Sequence, residues 1–399
     1  MAVTENAHEM GIRKPGRWRL MHIISGLYTG GAENMLLKLL SITDRGEFEP
    51  IVLSLRDHGT MIGARIEELD VGVLELGMRG SLPTLDAIWR LRGIVRRVQP
   101  DLIQGWMYHG NLAAWLAAYL APGKIPMVWN IRHTPYDLGK EKPATAYAIR
   151  VGARLSSTPR RIIYNAKASA RQHEKLGYNP DRTVVVANGF DCDQFRPSPE
   201  ARAELKRELG VPVGTMLIGL VARYHPMKDH ANFIRAAGKV AAERANVRFV
   251  LVGEGLDPGN RELLEAIGRQ DLDRRTHLLG ERSDIPYITA GLDIATSSSS
   301  GEAFPNVIGE AMACGVPCVV TDVGDSSAIV GDTGIVVPPK DPAALAAGWL
   351  KILDLDQERR HCLGTAARKR VMENYSLASV ARQYEAVYRA MLPAGHGEI

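Results

Sequence analysis

The feature that most constrains this chain is the regular alternation of short β-branched runs with helix-period stretches along its whole length. Residues 19–25, 50–55, 72–76, 101–105, 127–131, 161–165 and 183–186 read as strands in the first half. Residues 216–221, 247–252, 276–279, 294–297, 318–321 and 334–337 do so in the second. Strands separated by helical crossovers lie parallel and need helices on both faces of the sheet. The first set ends near Phe195, where RPSPE opens a polar, Pro-bearing segment that runs through a charged helix to LGVPVG. Two sheets on either side of that break predict a two-lobed α/β protein, and 399 residues at 45% hydrophobic content suffice for two cores. After Asp341 the pattern is helical, with Val380, Tyr384, Val387 and Met391 forming one apolar stripe near the end.

Residues 297–317, SSSSGEAFPNVIGEAMACGVP, carry the strongest chemical signal. Pro305 and Asn306 suit a first helical turn, and Gly315 with Pro317 ends the helix. Backbone N–H groups at such a start, together with the helix dipole, favour a phosphate. Glu302 and Glu310 flank that start, and a carboxylate there accepts hydrogen bonds from hydroxyls instead of holding an anion. Eight helical residues rise about 12 Å, so the two carboxylates can bracket a diphosphate that carries a sugar at each end. Two glutamates alone would read as a loop residue and an exposed helix residue.

The string GEAFPNVIGEAMACGVP resembles the Glu-x7-Glu signature of the retaining glycosyltransferases of family 4, whose fold is called GT-B. That resemblance implies two Rossmann-like parallel-sheet domains facing across a cleft. It gives an N-terminal acceptor-binding domain over residues 1–195 and a nucleotide-sugar-binding domain over 196–375. The C-terminal helix, residues 376–399, would cross back onto the first domain. It also implies that Glu302 approaches the transferred sugar, that Glu310 binds the ribose, and that the backbone of Ala303, Phe304, Pro305 and Asn306 holds the diphosphate.

Other elements gain meaning beside it. The strand in LIGLVARYHPMKDH delivers Arg223 and Lys228 at the carboxyl edge of the second sheet, where a guanidinium and an ammonium can neutralise a leaving diphosphate. As a bare pair they would read as solvated cations, but the family has an Arg and a Lys at this spacing. Gly30 and Gly31 follow the first strand and permit close backbone approach before a helix; an ordinary βα turn uses the same residues, and the family has its donor loop here. His109, in YHGN after a strand, matches a family histidine near the transferred sugar. Gly253 and Gly255 in VGEG lack the third glycine of a dinucleotide fingerprint, which points to a tight turn beside the donor and away from NAD. Arg282 and Ser283 match the segment lining the base, and Asn130, Arg132 and His133 at the end of a first-domain strand are candidate acceptor contacts.

Charge is uneven. Residues 1–195 carry 25 Lys plus Arg against 19 Asp plus Glu, whereas the remainder carries 24 against 26. Arg96, Arg97, Lys140, Lys142, Arg150, Arg154, Arg160 and Arg161 fall in the basic stretch. Two readings stay open there: solvated helix faces, or attraction to anionic lipid and acidic acceptors. No nucleic-acid-binding motif accompanies the charge. The four cysteines show no metal-ligand or paired redox spacing and read as free thiols. No Asp-x-Asp accompanies the donor elements, so no metal and no cofactor beyond the nucleotide sugar is expected. No apolar run reaches membrane-spanning length, and the start MAVTENAHEM lacks a signal peptide's apolar region. A cytoplasmic protein, peripheral at the inner face of the membrane, is expected.

The expected reaction moves a hexosyl unit from a UDP- or GDP-linked sugar to a saccharide or polyprenyl-diphosphate-linked acceptor, in cell-surface glycan assembly. The resemblance implies retention of configuration by front-face attack, with positioning and charge stabilisation as the enzyme's contribution. Two alternatives are a GT-B nucleotide-sugar epimerase and a transferase acting on a small soluble acceptor. A noncatalytic sugar-binding protein would have no reason to hold Arg223, Lys228 and Glu310 together.

Overall fold

The computed structural model describes residues 15–28, 30–56, 60–80 and 83–393. The polar start read above for a signal peptide lies outside them. The chain forms two compact units, one comprising Met1–Gly189 with Val380–Ile399 and the other Phe190–Ser379. Both belong to the Rossmann-like α/β type.

The first unit runs β1 (Trp18–Ile24), α1 (Gly31–Ile42), β2 (Phe48–Ser54), α2 (Met61–Glu67), β3 (Gly72–Glu75), α3 (Leu85–Val98) and β4 (Leu102–Trp106). It continues with α4 (Met107–Leu120), β5 (Met127–Ile131), α5 (Pro143–Leu155), β6 (Arg161–Tyr164), α6 (Lys167–Lys175) and β7 (Thr183–Val185). The sheet is parallel, in the order β3-β2-β1-β4-β5-β6-β7. Strand side chains alternate between faces, and both faces are buried. Met21 and Ile23 join a core with Leu91 of α3 and Ala114 of α4, while Leu20 and Ile24 join another with Leu36 and Leu40 of α1.

The second unit holds α7 (Pro199–Glu208), β8 (Met216–Val221), α8 (His230–Glu243), β9 (Val247–Val252), α9 (Arg261–Gly268), β10 (Thr276–Leu278) and α10 (Ile285–Gly291). After these come β11 (Ile294–Ser297), α11 (Asn306–Ala313), β12 (Cys318–Thr321), α12 (Ser326–Val330), β13 (Ile335–Val337), α13 (Pro342–Leu353) and α14 (Gln357–Asn374). Its parallel sheet has the order β10-β9-β8-β11-β12-β13. Phe233, Phe249 and Trp349 pack edge-on or tilted in its core, with Trp349 donating its ring N–H to Thr296 Oγ1 at 2.9 Å.

The last helix, α15 (Leu377–Arg389), contributes from Val380 onward to the first unit. Val380, Ala381, Tyr384 and Tyr388 are buried with Leu20, Trp106 and Val128. Tyr384 stacks on Trp106 at 6.3 Å. The units divide at Gly189, six residues before the break read from RPSPE, and again at Ser379 rather than Tyr375. The reason is local pairing: Phe190 N–H donates to Tyr375 O (2.8 Å), and Leu377 N–H donates to Phe190 O (2.9 Å). Arg368 reaches from α14 to the carbonyls of Cys192 and Phe195, both 3.1 Å away. Residues 190–195 are thereby built into the second unit, which hydrophobic patterning does not reveal.

Candidate active site

In each sheet the strand order reverses beside the first strand of that sheet, and crevice ligands of open α/β sheets bind outside the carboxyl ends at such a reversal. In the second unit the reversal lies between β8 and β11. Arg223 and Lys228 leave β8, and the segment from Ser298 to Pro305 leaves β11. The two strongest sequence signals are thus brought to neighbouring strand ends.

They meet directly. Lys228 Nζ is hydrogen-bonded and ion-paired to Glu302 Oε1, and Ser299 Oγ donates to the same oxygen at 2.8 Å. The backbone around Lys228 is fixed by the serine run. Ser298 Oγ donates to Lys228 O (2.8 Å), and Ser300 N–H donates to Met227 O (2.8 Å). Thr321 Oγ1 in turn donates to Ser299 O (2.7 Å). Sequence reasoning missed these supports, although four consecutive serines before Gly301 were a visible signal. Arg223 is exposed and forms no ion pair with a described residue.

Gly253 shapes the stem of this site. Its φ of +145° is a region that L side chains rarely adopt, and a Cβ there would run into the carbonyl oxygen of Ala222, the residue before Arg223. Glycine therefore lets the end of β9 pass against the end of β8. This places Gly253 as a backbone spacer beneath Arg223.

Helix α11 begins at Asn306 with Pro305 as its N-cap residue, and no side chain caps it. Pro305 has no N–H to offer, so a phosphate at this end would use the amides of Ala303, Phe304, Asn306 and Val307. Phe304 is buried, stacked on Phe190 at 6.1 Å and tilted against Tyr375 at 6.0 Å, which fixes the loop backbone. Asp325 N–H donates to Ala303 O at 3.0 Å from the opposite side. Glu310 sits a turn into α11, half-buried, lining a narrow space with Gly219 and Val221 of β8 and with Thr296 of β11.

Arg282 is held in a fork. It donates to Asp284 at 2.8 and 2.6 Å and to Glu208 of α7 at 2.7 Å. Hydrogen bonds to Asp284 and Glu208 raise its pKa further above the ordinary arginine value, and the hydrogen bond from the Arg282 guanidinium holds Asp284 below the usual carboxylate range. The side chain is thus committed to Glu208 of α7 and to Asp284.

The first unit reverses between β1 and β4, the strands that precede Gly30, Gly31 and His109. Gly30 is extended and is the N-cap residue of α1, which begins at Gly31, one residue before the start near Ala32 expected from sequence; the Gly30 carbonyl accepts from Asn34 N–H at 3.0 Å. The Glu33 carboxylate folds back over Gly30, and burial raises its pKa. An anion bound at this helix start would therefore share it with a carboxylate, which weakens the case for Gly30 and Gly31 as a second phosphate cradle.

His109 lies in the first turn of α4 and not in a loop, because β4 passes into the helix through Met107 at φ +60° without an intervening loop. Gly110 permits this: a Cβ there would overlap the Ile23 carbonyl oxygen of β1. His109 is half-buried, and burial together with nearby Arg56 lowers its pKa, favouring the neutral ring.

The three candidate acceptor residues divide. Asn130 is fully buried, its Nδ2 donating to Tyr384 Oη at 2.9 Å and its backbone N–H to Asn111 Oδ1 at 3.2 Å, so it is withdrawn from acceptor contact. Arg132 donates to Tyr384 Oη at 2.6 Å and to the Asn188 side chain, and burial among these neutral partners lowers its pKa. Both residues serve the docking of α15, which only the folded chain reveals. His133 is the open one, half-exposed and bonded to Glu141 at 2.7 Å.

Among the described residues no three His, Cys, Asp or Glu side chains are placed to hold a metal ion. No helix there is long and apolar enough to cross a membrane. All four cysteines are free, and burial pushes the thiols of Cys314 and Cys318 up to about 12.

Comparison with known proteins agrees with this geometry. Residues 29–194 match the family model described as Glycosyltransferase Family 4, and residues 215–355 match Glycosyl transferases group 1. A D-inositol 3-phosphate glycosyltransferase of Corynebacterium efficiens is 31% identical over 341 residues, 79% of this chain and 74% of that one. The N-acetyl-alpha-D-glucosaminyl L-malate synthase of Bacillus anthracis is 24% identical over 283 residues, 70% of this chain and 72% of its own. The crystal structure of Anabaena HepE in complex with UDP superposes with a TM-score of 0.80 at 23% identity, covering 93% of this chain and all of that one. Membership of a transferase family sets aside the epimerase alternative, and the fold is GT-B. The chain belongs to glycosyltransferase family 4, the group 1 glycosyl transferases, and is a glycosyltransferase.

Proposed function

We propose that this glycosyltransferase moves a hexosyl unit, with retention of configuration, from a nucleotide sugar to a lipid-linked saccharide in cell-surface glycan assembly. The observation that carries the donor half is the meeting of Lys228 and Glu302 at the strand reversal of the second unit. In this reading the second unit binds the donor. The amides around Ala303, Phe304 and Asn306 hold the diphosphate, Glu310 takes the ribose, and Glu302 meets the sugar. Arg223 and Lys228 draw off the charge that develops on the leaving diphosphate, a role suited to fixed cations at a partly buried site. UDP sugars are the donors to test first, since the similar HepE was solved with UDP and with UDP-glucose; GDP sugars come second.

The first unit takes the acceptor, with neutral His109 and His133 as its open polar groups. Arg96, Arg97, Lys140, Lys142, Arg150, Arg154, Arg160 and Arg161 are all exposed there, a surface suited to anionic lipid head groups and to peripheral residence on a membrane. A second reading, a small soluble anionic acceptor, is favoured by the names of the relatives that use inositol 3-phosphate and L-malate.

The test offers purified protein one UDP or GDP hexose with either a polyprenyl-diphosphate-linked sugar or inositol 3-phosphate, and reads the new anomeric proton by NMR. The α-configured donor should give an α-linked product on the lipid-linked acceptor alone. Transfer only to inositol 3-phosphate would favour the second reading, and a β-linked product would refute retention.

A further inference from the structure

The first unit contains a cavity of about 470 Å³ that the donor chemistry does not use. Its walls come from α3, α4 and α5 and from the ends of β2 and β3, and they are almost wholly apolar: Met78, Leu91, Leu116, Trp115 and Val151 are representative. Among the described residues, His109 is the only basic side chain that lines it. The shape is elongated. Along α4 the walls extend from His109 to Leu116, a rise of about 10 Å, and along α5 from Ala144 to Leu155, about 16 Å. A sugar in such a slot would lose its water and find no hydrogen-bonding partners, whereas a hydrocarbon chain gains along the whole length.

One end of the slot is polar and carries both basic and acidic groups, with Arg90 paired to Asp86 at 3.0 Å. His109 stands there at the strand reversal, and Arg56 is close enough to disfavour its protonation. Arg90 Nη1 would lie 3.5 Å and Glu75 Oε1 3.8 Å from a Cβ on Gly77, the residue between cavity-lining Leu76 and Met78. Around the same end the helices expose apolar side chains: Leu85 is 78% and Trp89 69% exposed on α3, and Tyr147 is 59% exposed on α5. Exposed aromatics beside arginines suit a surface that meets lipid at its head-group level.

We infer that this cavity binds the polyprenyl tail of the acceptor, with the phosphate-bearing end of the lipid at His109, Arg56 and Arg90. The inference rests on the lipid-linked acceptor reading and names the site that would select such acceptors. It accounts for two features that reading leaves idle, the dry slot itself and the exposed Leu85 and Trp89 beside it.

The probe is farnesyl diphosphate, a soluble isoprenoid chain on an anionic head, titrated calorimetrically into the full chain. Inorganic diphosphate and dodecyl phosphate are the comparison ligands. Two variants narrow the slot: Ala144→Trp at an exposed position of the first turn of α5, and Ala113→Phe on α4. Farnesyl diphosphate should bind saturably and at least tenfold more weakly to each variant, while UDP affinity and the circular-dichroism spectrum stay as in the wild type. Inorganic diphosphate should not compete. Equal farnesyl affinity in both folded variants would overturn the inference, as would binding of dodecyl phosphate alone, which would make the occupant a straight acyl chain. The two proposals fail separately. Transfer to a lipid-linked sugar that is unaffected by Ala144→Trp removes this site and keeps the function. Farnesyl binding lost in the variants, without transfer to any lipid-linked sugar, keeps the site and removes the function.

Discussion

Replacing Glu302 by Gln separates the two jobs proposed for this residue. In the ligand-free protein its carboxylate accepts from Ser299 Oγ and is paired with Lys228, with side-chain exposures of 13% for Glu302 and 25% for Lys228. A partly exposed ion pair of this kind contributes about 1 kcal/mol. If Lys228 binds the donor diphosphate, that pairing opposes binding, because the ammonium must leave one anion for another. Gln removes the competitor, and the backbone bonds from Ser298 and Ser300 still hold the Lys228 segment in place. UDP affinity should therefore rise by roughly fivefold, the equivalent of about 1 kcal/mol. Turnover should fall by about 10²-fold, the order expected when a fixed charge at the reacting centre is lost. Thermal unfolding without ligand should drop by about 2–4 °C for that same 1 kcal/mol. Calorimetric UDP titration, steady-state transfer and a thermal melt read the three quantities on one preparation. A fivefold loss of UDP affinity, or turnover within a factor of two of wild type, would refute the reasoning.

Further predictions follow the same residues. Glu310→Ala should weaken UDP binding about tenfold while leaving the affinity for inorganic diphosphate unchanged, as measured by competition; an unchanged UDP affinity removes the ribose role. Tyr384→Phe deletes the oxygen that accepts from buried Asn130 and Arg132, and urea unfolding should show a loss of about 2 kcal/mol in the first unit. Acid should destabilise both units. Burial lowers His173 in the first and His230 in the second to about 4, from 6.5 when unfolded. Each contribution is complete above pH 6.5 and is lost as pH falls toward 4, by up to about 3 kcal/mol per histidine. Urea midpoints at pH 7.5 and 4.5 check this, and His230→Gln should flatten the slope in the second unit.

Much of the architecture is legible in the sequence. All thirteen strands among the described residues sit where β-branched runs alternate with helical patterns, because in a parallel sheet each strand is short, apolar and followed by a crossover. The Glu302 to Glu310 segment was legible because a proline, an asparagine and a terminating glycine fix a short helix whatever surrounds it. Other features depend on neighbours distant in sequence. Asn130 looks like a strand-end polar residue open to ligand, but α15 arrives from more than two hundred residues away and buries it under Tyr384. Arg282 reads as a base-lining cation, and its pairing with Glu208 of α7, more than seventy residues earlier, is not visible in the sequence. His109 reads as a loop residue because nothing local announces that Met107 turns the strand straight into a helix. The serine run before Gly301 was visible but mute, since the Ser298 hydroxyl acts on the backbone of a different strand's loop and the Ser299 hydroxyl on the Glu302 carboxylate.

The central claim is that the cations leaving β8 act on a donor diphosphate held at the start of α11. Its most direct test is the rate at which UDP and GDP hexoses are cleaved by wild-type protein and by the Arg223→Ala, Lys228→Ala double variant, each confirmed folded by its thermal melt. The wild type should cleave one donor class, and the variant should do so at least about 10²-fold more slowly. A folded double variant that cleaves the same donor within a factor of two of the wild-type rate would contradict the claim.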